Sequence, residues 1–168
     1  MKLALKWCVP ITLVAQGLAW LSGQVALLLG FDLPAPQPLV QFFTNPGIAW
    51  QKKAGLGALV LLGAPIYEEI IFRMGLFNFL CWARKKYDAF RRHSEAVTRK
   101  GFPFAAAILS GVVFAAVHKH VATFVPLLFL GVAFAWLYWK SGTIRSSMLC
   151  HFVFNLINIV LCLFFVED

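Results

Sequence analysis

Apolar residues form five long blocks along the chain, and polar residues fall mainly between these blocks. The first block runs from about Trp7 to Phe31 and is followed by a proline-rich connection at 32–53. Four further blocks lie at about 54–82, 103–118, 121–139 and 144–166. About 20 apolar residues in a helix cross the hydrocarbon core of a bilayer. The pattern therefore predicts an all-α fold, a polytopic membrane helical bundle with about five transmembrane helices.

The composition agrees with a membrane protein and excludes an ordinary soluble one. Of the 168 residues, 61% are hydrophobic and 13% are charged, and the mean hydropathy is +0.78. Soluble domains are only about 45–50% apolar and about 25% charged. The connections leave no room for a soluble domain, so a single transmembrane domain is expected over residues 1–168. The first block exceeds the apolar core of a signal peptide, about 7–15 residues, and is interpreted as a retained span.

The basic residues are placed as orientation signals of a multi-pass protein in the cell membrane. The net charge is +8, and the segment 83–101 contains seven Lys or Arg residues against Asp88 and Glu95. The positive-inside rule places this segment in the cytoplasm, and five spans then put the N-terminus inside and the C-terminus outside. Eleven of the fifteen cations lie on the inside in this topology. No nucleic-acid partner is expected; the bilayer accounts for the charge.

Three charged residues interrupt the second apolar block. Ionisable groups inside a spanning helix are costly, so Glu68, Glu69 and Arg73 are functional candidates. A helix advances about 100° per residue, so Glu69 and Arg73, four apart, share a face and are expected to form an ion pair. Glu68 is rotated away from that pair and has no obvious cation. Its position suits a general base that acts on water in a wet cavity.

Two later blocks carry polar residues at helical spacing. His151 and Asn155 are four apart, so both side chains point the same way. Imidazole and amide groups carry N–H donors that can stabilise a developing oxyanion. By the same spacing Phe114 and His118 share a face of the third block. The predicted catalytic residues are therefore Glu68, His118, His151 and Asn155, with Glu69, Arg73 and Phe114 supporting the site.

The same side chains also allow a metal site. Glu68, His118 and His151 would supply three ligands with water in the fourth position, as in catalytic zinc sites. The chain contains no HExxH motif, and asparagine is a poor zinc ligand. A metal-free, glutamate-activated water is therefore favoured. No cofactor is firmly predicted, and zinc stays open as the alternative.

Three short motifs, in order along the chain, carry a family resemblance. Residues 68–73 read EEIIFR, residues 114–118 read FAAVH and residues 151–155 read HFVFN. They resemble the EExxxR, FxxxH and HxxxN motifs of the CPBP intramembrane proteases, which comprise CAAX prenyl endopeptidases and bacteriocin-processing or self-immunity (Abi) proteins. The turn at 140–144 also resembles this family, and the family-like core is placed at about 54–166.

The resemblance implies an all-helical membrane endopeptidase. Glu68 would activate water with His118, while His151 and Asn155 would stabilise the oxyanion. The leading hypothesis is a peptidase that cleaves a peptide or protein substrate near the cytoplasmic face. The alternative is a non-catalytic immunity or scaffold protein that binds a partner through the same polar pocket. A proton or ion pathway is a weaker third reading, because no internal repeat is visible.

The predicted helix ends conflict with the predicted site. At about 1.5 Å per residue, Glu68 and His151 would lie roughly 8–10 Å from the cytoplasmic face. His118 would fall near the opposite end of its span. We therefore expect the boundaries, rather than the motif assignment, to be in error.

Overall fold

The computed structural model describes residues 2–31, 38–91 and 101–164, with 88–91 described by their backbone alone. All regular structure in these ranges is helical. The α-helices are α1 (Lys2–Leu28), α2 (Pro38–Thr44), α3 (Trp50–Ala58), α4 (Ala64–Glu69), α5 (Asn78–Arg91), α6 (Phe104–Val117), α7 (Phe124–Ser141) and α8 (Ile144–Phe164). A 3₁₀ turn, Val121–Thr123, precedes α7, and Gly142 ends α7 in the left-handed conformation with φ of 68°.

Four helical stretches are long and apolar enough to cross a membrane: Lys2–Leu28, Trp50–Tyr87, Val121–Ser141 and Ile144–Phe164. The outward faces of these helices expose many large apolar side chains, such as Trp20 and Leu28. Proteins that are dissolved in water rarely expose so large an apolar surface. The protein is therefore a multi-pass helical membrane protein, as the pattern predicts. The shorter α6 has 14 residues and extends only about 21 Å.

Two predicted connections are partly helical. Residues 32–53 were expected to connect the first two spans, but they include α2, and α3 already begins at Trp50. The segment 83–101 was expected to be a loop, yet α5 continues through its first half to Arg91, and residues 92–100 lie outside the described residues. Lysine and arginine are good helix formers, so a helix can continue beyond the apolar block that begins it.

The second span is one continuous helix with two π-helical interruptions, Leu59–Gly63 and Ile70–Phe77. The first is next to Pro65, which has no backbone N–H and cannot follow an ordinary α-helical turn without a clash. The Ala64 N–H bonds the carbonyl of Leu59, five residues back, instead of that of Val60. In the same five-residue pattern the donor to the Val60 carbonyl would be the backbone N–H of residue 65. Pro65 has no N–H, so this carbonyl lacks a backbone donor.

Helices α6 and α7 cross with their backbones in contact. A Cβ atom on Gly131 would lie 2.6 Å from the Cα atom of Gly111, so neither position has space for a larger residue. Small residues at a crossing let two membrane helices approach closely. The crossing fixes the position of Phe114, one turn after Gly111, and of Phe134, one turn after Gly131.

The long helix and α6 run antiparallel, because Phe77 lies against Phe102, just before α6, whereas Phe72, five residues earlier, lies against Phe114 in α6. The Ser110 hydroxyl donates to the carbonyl of Phe72 at 3.1 Å, and the Phe72 and Phe114 rings are 5.1 Å apart. Glu68 is one turn before Phe72, and His118 is one turn after Phe114, so both lie at the same end of this contact. Glu68 and His118 are therefore not at opposite ends of their helices, and Glu68 lies near the middle of the spanning stretch Trp50–Tyr87.

Candidate active site

A fully buried ion pair forms the base of the site. The Arg73 Nε and the Glu69 Oε2 atoms are 3.2 Å apart, and both side chains are 0% exposed. Arg73 also donates from Nη2 to the carbonyl of Gly131 on α7, at 3.4 Å. The pair predicted from the four-residue spacing is confirmed, and it links the long helix to the α6–α7 crossing.

His151 lies between the two glutamates. Its Nδ1 atom is 3.2 Å from the Glu69 Oε1, and its Nε2 atom is 3.8 Å from the Glu68 Oε2. A carboxylate accepts, so Nδ1 carries the proton that is donated to Glu69, and Nε2 faces Glu68. The result is a row of charged and polar groups, Arg73, Glu69, His151 and Glu68, in that order.

The two glutamates differ in their access to solvent. Glu69 is enclosed, whereas the Glu68 side chain is 23% exposed. The Glu68 Oε2 atom is itself buried and has no hydrogen-bond partner among the described residues. Glu68 therefore combines a free acceptor atom, a neighbouring imidazole and a path to the outside.

Two phenylalanines, on the crossing helices α6 and α7, pack against the polar row. The Arg73 guanidinium lies 4.9 Å from the ring centroid of Phe114 and 5.3 Å from that of Phe134. The ring of Phe134 also stacks on His151, with centroids 5.1 Å apart and planes 27° apart. Cation–π contacts and stacking hold the guanidinium and the imidazole in place without competing for their hydrogen bonds. Phe114 was predicted to support the site, whereas Phe134 was not identified.

His118 lies beside this row but is not bonded to it. Its ring is exposed, its Nδ1 is 2.7 Å from the carbonyl of Phe114, and the two rings are 4.9 Å apart. The carbonyl accepts, so Nδ1 carries a proton and Nε2 is the free atom. Among the described residues, no hydrogen bond or ion pair joins His118 to Glu68 or His151. Phe114 lies between the histidines, with its ring 6.1 Å from that of His151.

Asn155 points toward the long helix, as His151 does, but it contacts the backbone of that helix and not the glutamates. Its Nδ2 donates to the carbonyl of Val60 at 3.0 Å. That carbonyl is the one left without a backbone donor next to Pro65, so the amide satisfies a group that would be costly to leave unpaired in a membrane. The second proton on Nδ2 stays available for another acceptor.

Ser147 also contacts the site and was not among the site residues predicted from the sequence. Its hydroxyl is within hydrogen-bond reach of the Ile144 carbonyl, at 3.0 Å, and of the Glu69 carboxylate, and its one proton can go to either. Ser147 precedes His151 by four residues, so the spacing that selected Asn155 would also have selected Ser147.

The three predicted metal ligands are not gathered around one point. Among the described residues, no group of three His, Cys, Asp or Glu side chains has a metal-binding arrangement. Glu68 and His151 are adjacent, whereas His118 lies beyond Phe114. A zinc ion thus stays a prediction from the sequence.

Comparison with known proteins identifies the family. The family model described as type II CAAX prenyl endopeptidase Rce1-like matches residues 50–157, which include the π segments and the whole polar row. No curated protein and no solved structure matches the chain. The resemblance drawn from the three motifs is confirmed, and with it a protease-type activity on a peptide or protein substrate in a membrane. The match spans well over half of the chain, which belongs to the Rce1-like family of type II CAAX prenyl endopeptidases.

Proposed function

We propose that the protein is an intramembrane endopeptidase in which Glu68 is the general base. The observation that carries the proposal is the position of His151, whose Nε2 is 3.8 Å from the Glu68 carboxylate while Glu69 holds its other nitrogen. A separation of 3.8 Å is too long for a direct hydrogen bond. One water can, however, contact both atoms at ordinary hydrogen-bond distances.

The chemistry follows from these two groups. Glu68 takes a proton from the water, and the water oxygen attacks the carbonyl carbon of the scissile peptide bond. The tetrahedral intermediate collapses as the C–N bond breaks, and the proton held by Glu68 passes to the leaving amine. Glu69 and Arg73 do not touch the substrate in this scheme. They hold His151 in the tautomer that presents Nε2 to the water.

The geometry favours an exchange of the roles that the resemblance implies for the two histidines. His151 is adjacent to Glu68 and acts on the water, whereas His118 is exposed at the same depth and is open to the substrate. In its protonated form His118 donates through Nε2 to the oxyanion. The second N–H of Asn155 is the other candidate donor.

The family description supports a substrate of the CAAX type, and we extend this to the present chain as part of the proposal. The site lies about midway along a span, so the scissile bond must enter the bilayer. The positive-inside rule favours a cytoplasmic position for the basic segment 83–101, which would orient the protein without altering the chemistry.

The test compares cleavage of a farnesylated CAAX peptide, and of the same peptide without the lipid, by purified protein and by Glu68→Gln. Product formation is followed by mass spectrometry. Loss of cleavage with an unchanged unfolding temperature is expected, because glutamine keeps the shape of Glu68 and removes the base. Equal cleavage by both proteins overturns the proposal. If neither peptide is cleaved and Glu68→Gln retains the cellular function, the non-catalytic alternative is favoured.

A further inference from the structure

A groove on the membrane-facing surface lies far from the polar row. It has a volume of about 290 Å³ and is formed where α2 and the first turns of the long helix meet the end of α8. Its lining residues are Phe43, Trp50, Lys53, Ala54, Gly57, Ala58, Leu61, Ile159 and Leu163. It therefore joins three segments at the end of the molecule opposite α5.

The groove is separate from the candidate active site. Leu61 and Ile159 are its lining residues nearest in sequence to Glu68 and His151, from which they are seven and eight residues away, about 11–12 Å along a helix. The hydrogen bond between Asn155 and the Val60 carbonyl lies between the two places. Occupancy of the groove can therefore be measured without reference to catalysis.

One lining residue is charged, and it is held in place. The Lys53 Nζ donates to the carbonyl of Phe43 at 2.7 Å, and no lining residue is acidic. An ammonium has three donors, and a neutral carbonyl uses one of them without neutralising the charge. The groove thus presents a long apolar surface, and at one end two N–H donors of Lys53 have no partner in the part of the chain that the structure describes.

Lys53 lies in the part of a spanning helix where a lipid headgroup is expected. Trp50, one turn before it, is 64% exposed, and tryptophan is enriched where a membrane meets water. Lys53 is in the first turn of a spanning helix, where a long cationic side chain reaches the headgroup level.

We propose that this groove binds one acyl chain of an anionic phospholipid, with the lipid phosphate on Lys53. An apolar wall accepts a hydrocarbon chain, and the free N–H groups of the ammonium donate to the oxygens of a phosphate. An isoprenoid chain would fill the same wall, but it carries no anionic group to pair with Lys53, and no acidic side chain among the described residues lines the groove. A neutral phospholipid would pair the cation less completely, because its phosphate already faces its own ammonium.

Native mass spectrometry of the purified protein in detergent tests the proposal. The probes are dioleoyl phosphatidylglycerol and dioleoyl phosphatidylcholine at equal concentrations. We expect the phosphatidylglycerol complex to be retained at least fivefold more than the phosphatidylcholine complex. Lys53→Ala should remove this preference, whereas Lys52→Ala, the exposed neighbour that does not line the groove, should keep it.

A second pair of variants tests the apolar wall. Ala58→Phe fills the groove and should lower retention of both lipids, whereas Leu59→Phe, which is exposed beside the groove and does not line it, should not. Circular dichroism checks that the variants fold. Equal retention of the two lipids by the unmodified protein, or equal effects of the two lysine variants, overturns the proposal. Displacement of phosphatidylglycerol by equimolar farnesol would assign the groove to an isoprenoid chain and also overturn it.

Discussion

The enclosed and the open halves of the site use the same residue types for opposite purposes. In the enclosed half, the two oxygens of Glu69 are each 3.2 Å from a neighbour, Arg73 and His151, and Phe114 and Phe134 pack against these two groups. In the open half, Glu68 and His118 each keep one acceptor atom without a partner among the described residues. A carboxylate and an imidazole can thus position other groups or react, and burial decides which.

The largest expected effect compares the two histidines. His151→Gln should reduce peptide cleavage by about 10²–10⁴-fold, because it removes the nitrogen next to Glu68. It should also lower the unfolding temperature, because Glu69 Oε1 loses its partner. His118→Gln should reduce cleavage without changing the unfolding temperature, because His118 is exposed and bonds only its own helix. Cleavage assays measure the activity of both variants, and thermal unfolding in detergent measures their stability. An unchanged unfolding temperature of His151→Gln would contradict the proposed difference between the enclosed and open halves.

The second prediction breaks the buried ion pair. Arg73→Met should lower the free energy of unfolding by about 3–5 kcal/mol, because Glu69 is left as an unpaired buried charge. The double variant Glu69→Leu with Arg73→Met should recover most of that loss and still fail to cleave, since no carboxylate then accepts from Nδ1 of His151 and fixes its tautomer. Equilibrium unfolding in mixed detergent measures the stability, and Glu68→Gln is the matched control in the open half. A double variant as unstable as Arg73→Met alone would contradict this account.

The third prediction concerns the aromatic wall. Phe134→Leu should lower the cleavage rate of the folded protein about 2–10-fold, because stacking of aromatic rings contributes about 0.5–1.5 kcal/mol. Phe129→Leu, on the same helix but without a ring contact to His151, is the control and should leave the rate unchanged. Rates are normalised to the folded fraction. Equal effects of the two variants would show that Phe134 acts only through packing.

The smallest expected effect separates the two roles of Asn155. Asn155→Leu should cost about 0.6–2 kcal/mol of stability, the range measured for hydrogen bonds between membrane helices. Pro65→Ala returns a backbone N–H to the turn that lacks one, so the cost of Asn155→Leu should be smaller in that background. A double-mutant cycle measures this coupling. If cleavage falls on Asn155→Leu even where Pro65→Ala restores stability, Asn155 also acts on the oxyanion; additive costs would refute the link to Pro65.

Local spacing predicted the parts of the site that lie on one helix. The pair of Glu69 and Arg73 follows from four-residue spacing, and the common direction of His151 and Asn155 does so as well. The spacing did not predict which groups those two side chains would contact. His151 meets the glutamates and Asn155 meets Val60, because the long helix presents two different surfaces to successive turns of α8.

The sequence by itself determined that this is a helical membrane protein of the CAAX protease type, with the motif residues in their order along the chain. Its apolar blocks, the placement of its cations and its i,i+4 pairs are properties of short stretches of sequence, so they can be recognised without the tertiary structure. Only the tertiary structure decided that His151 lies between Glu68 and Glu69, that Phe134 and Ser147 contribute, and that His118 lies at the depth of Glu68. These relations depend on the Gly111–Gly131 crossing and on the π turns beside Pro65 and Arg73, which set helix distance and rotation and leave no periodic signal.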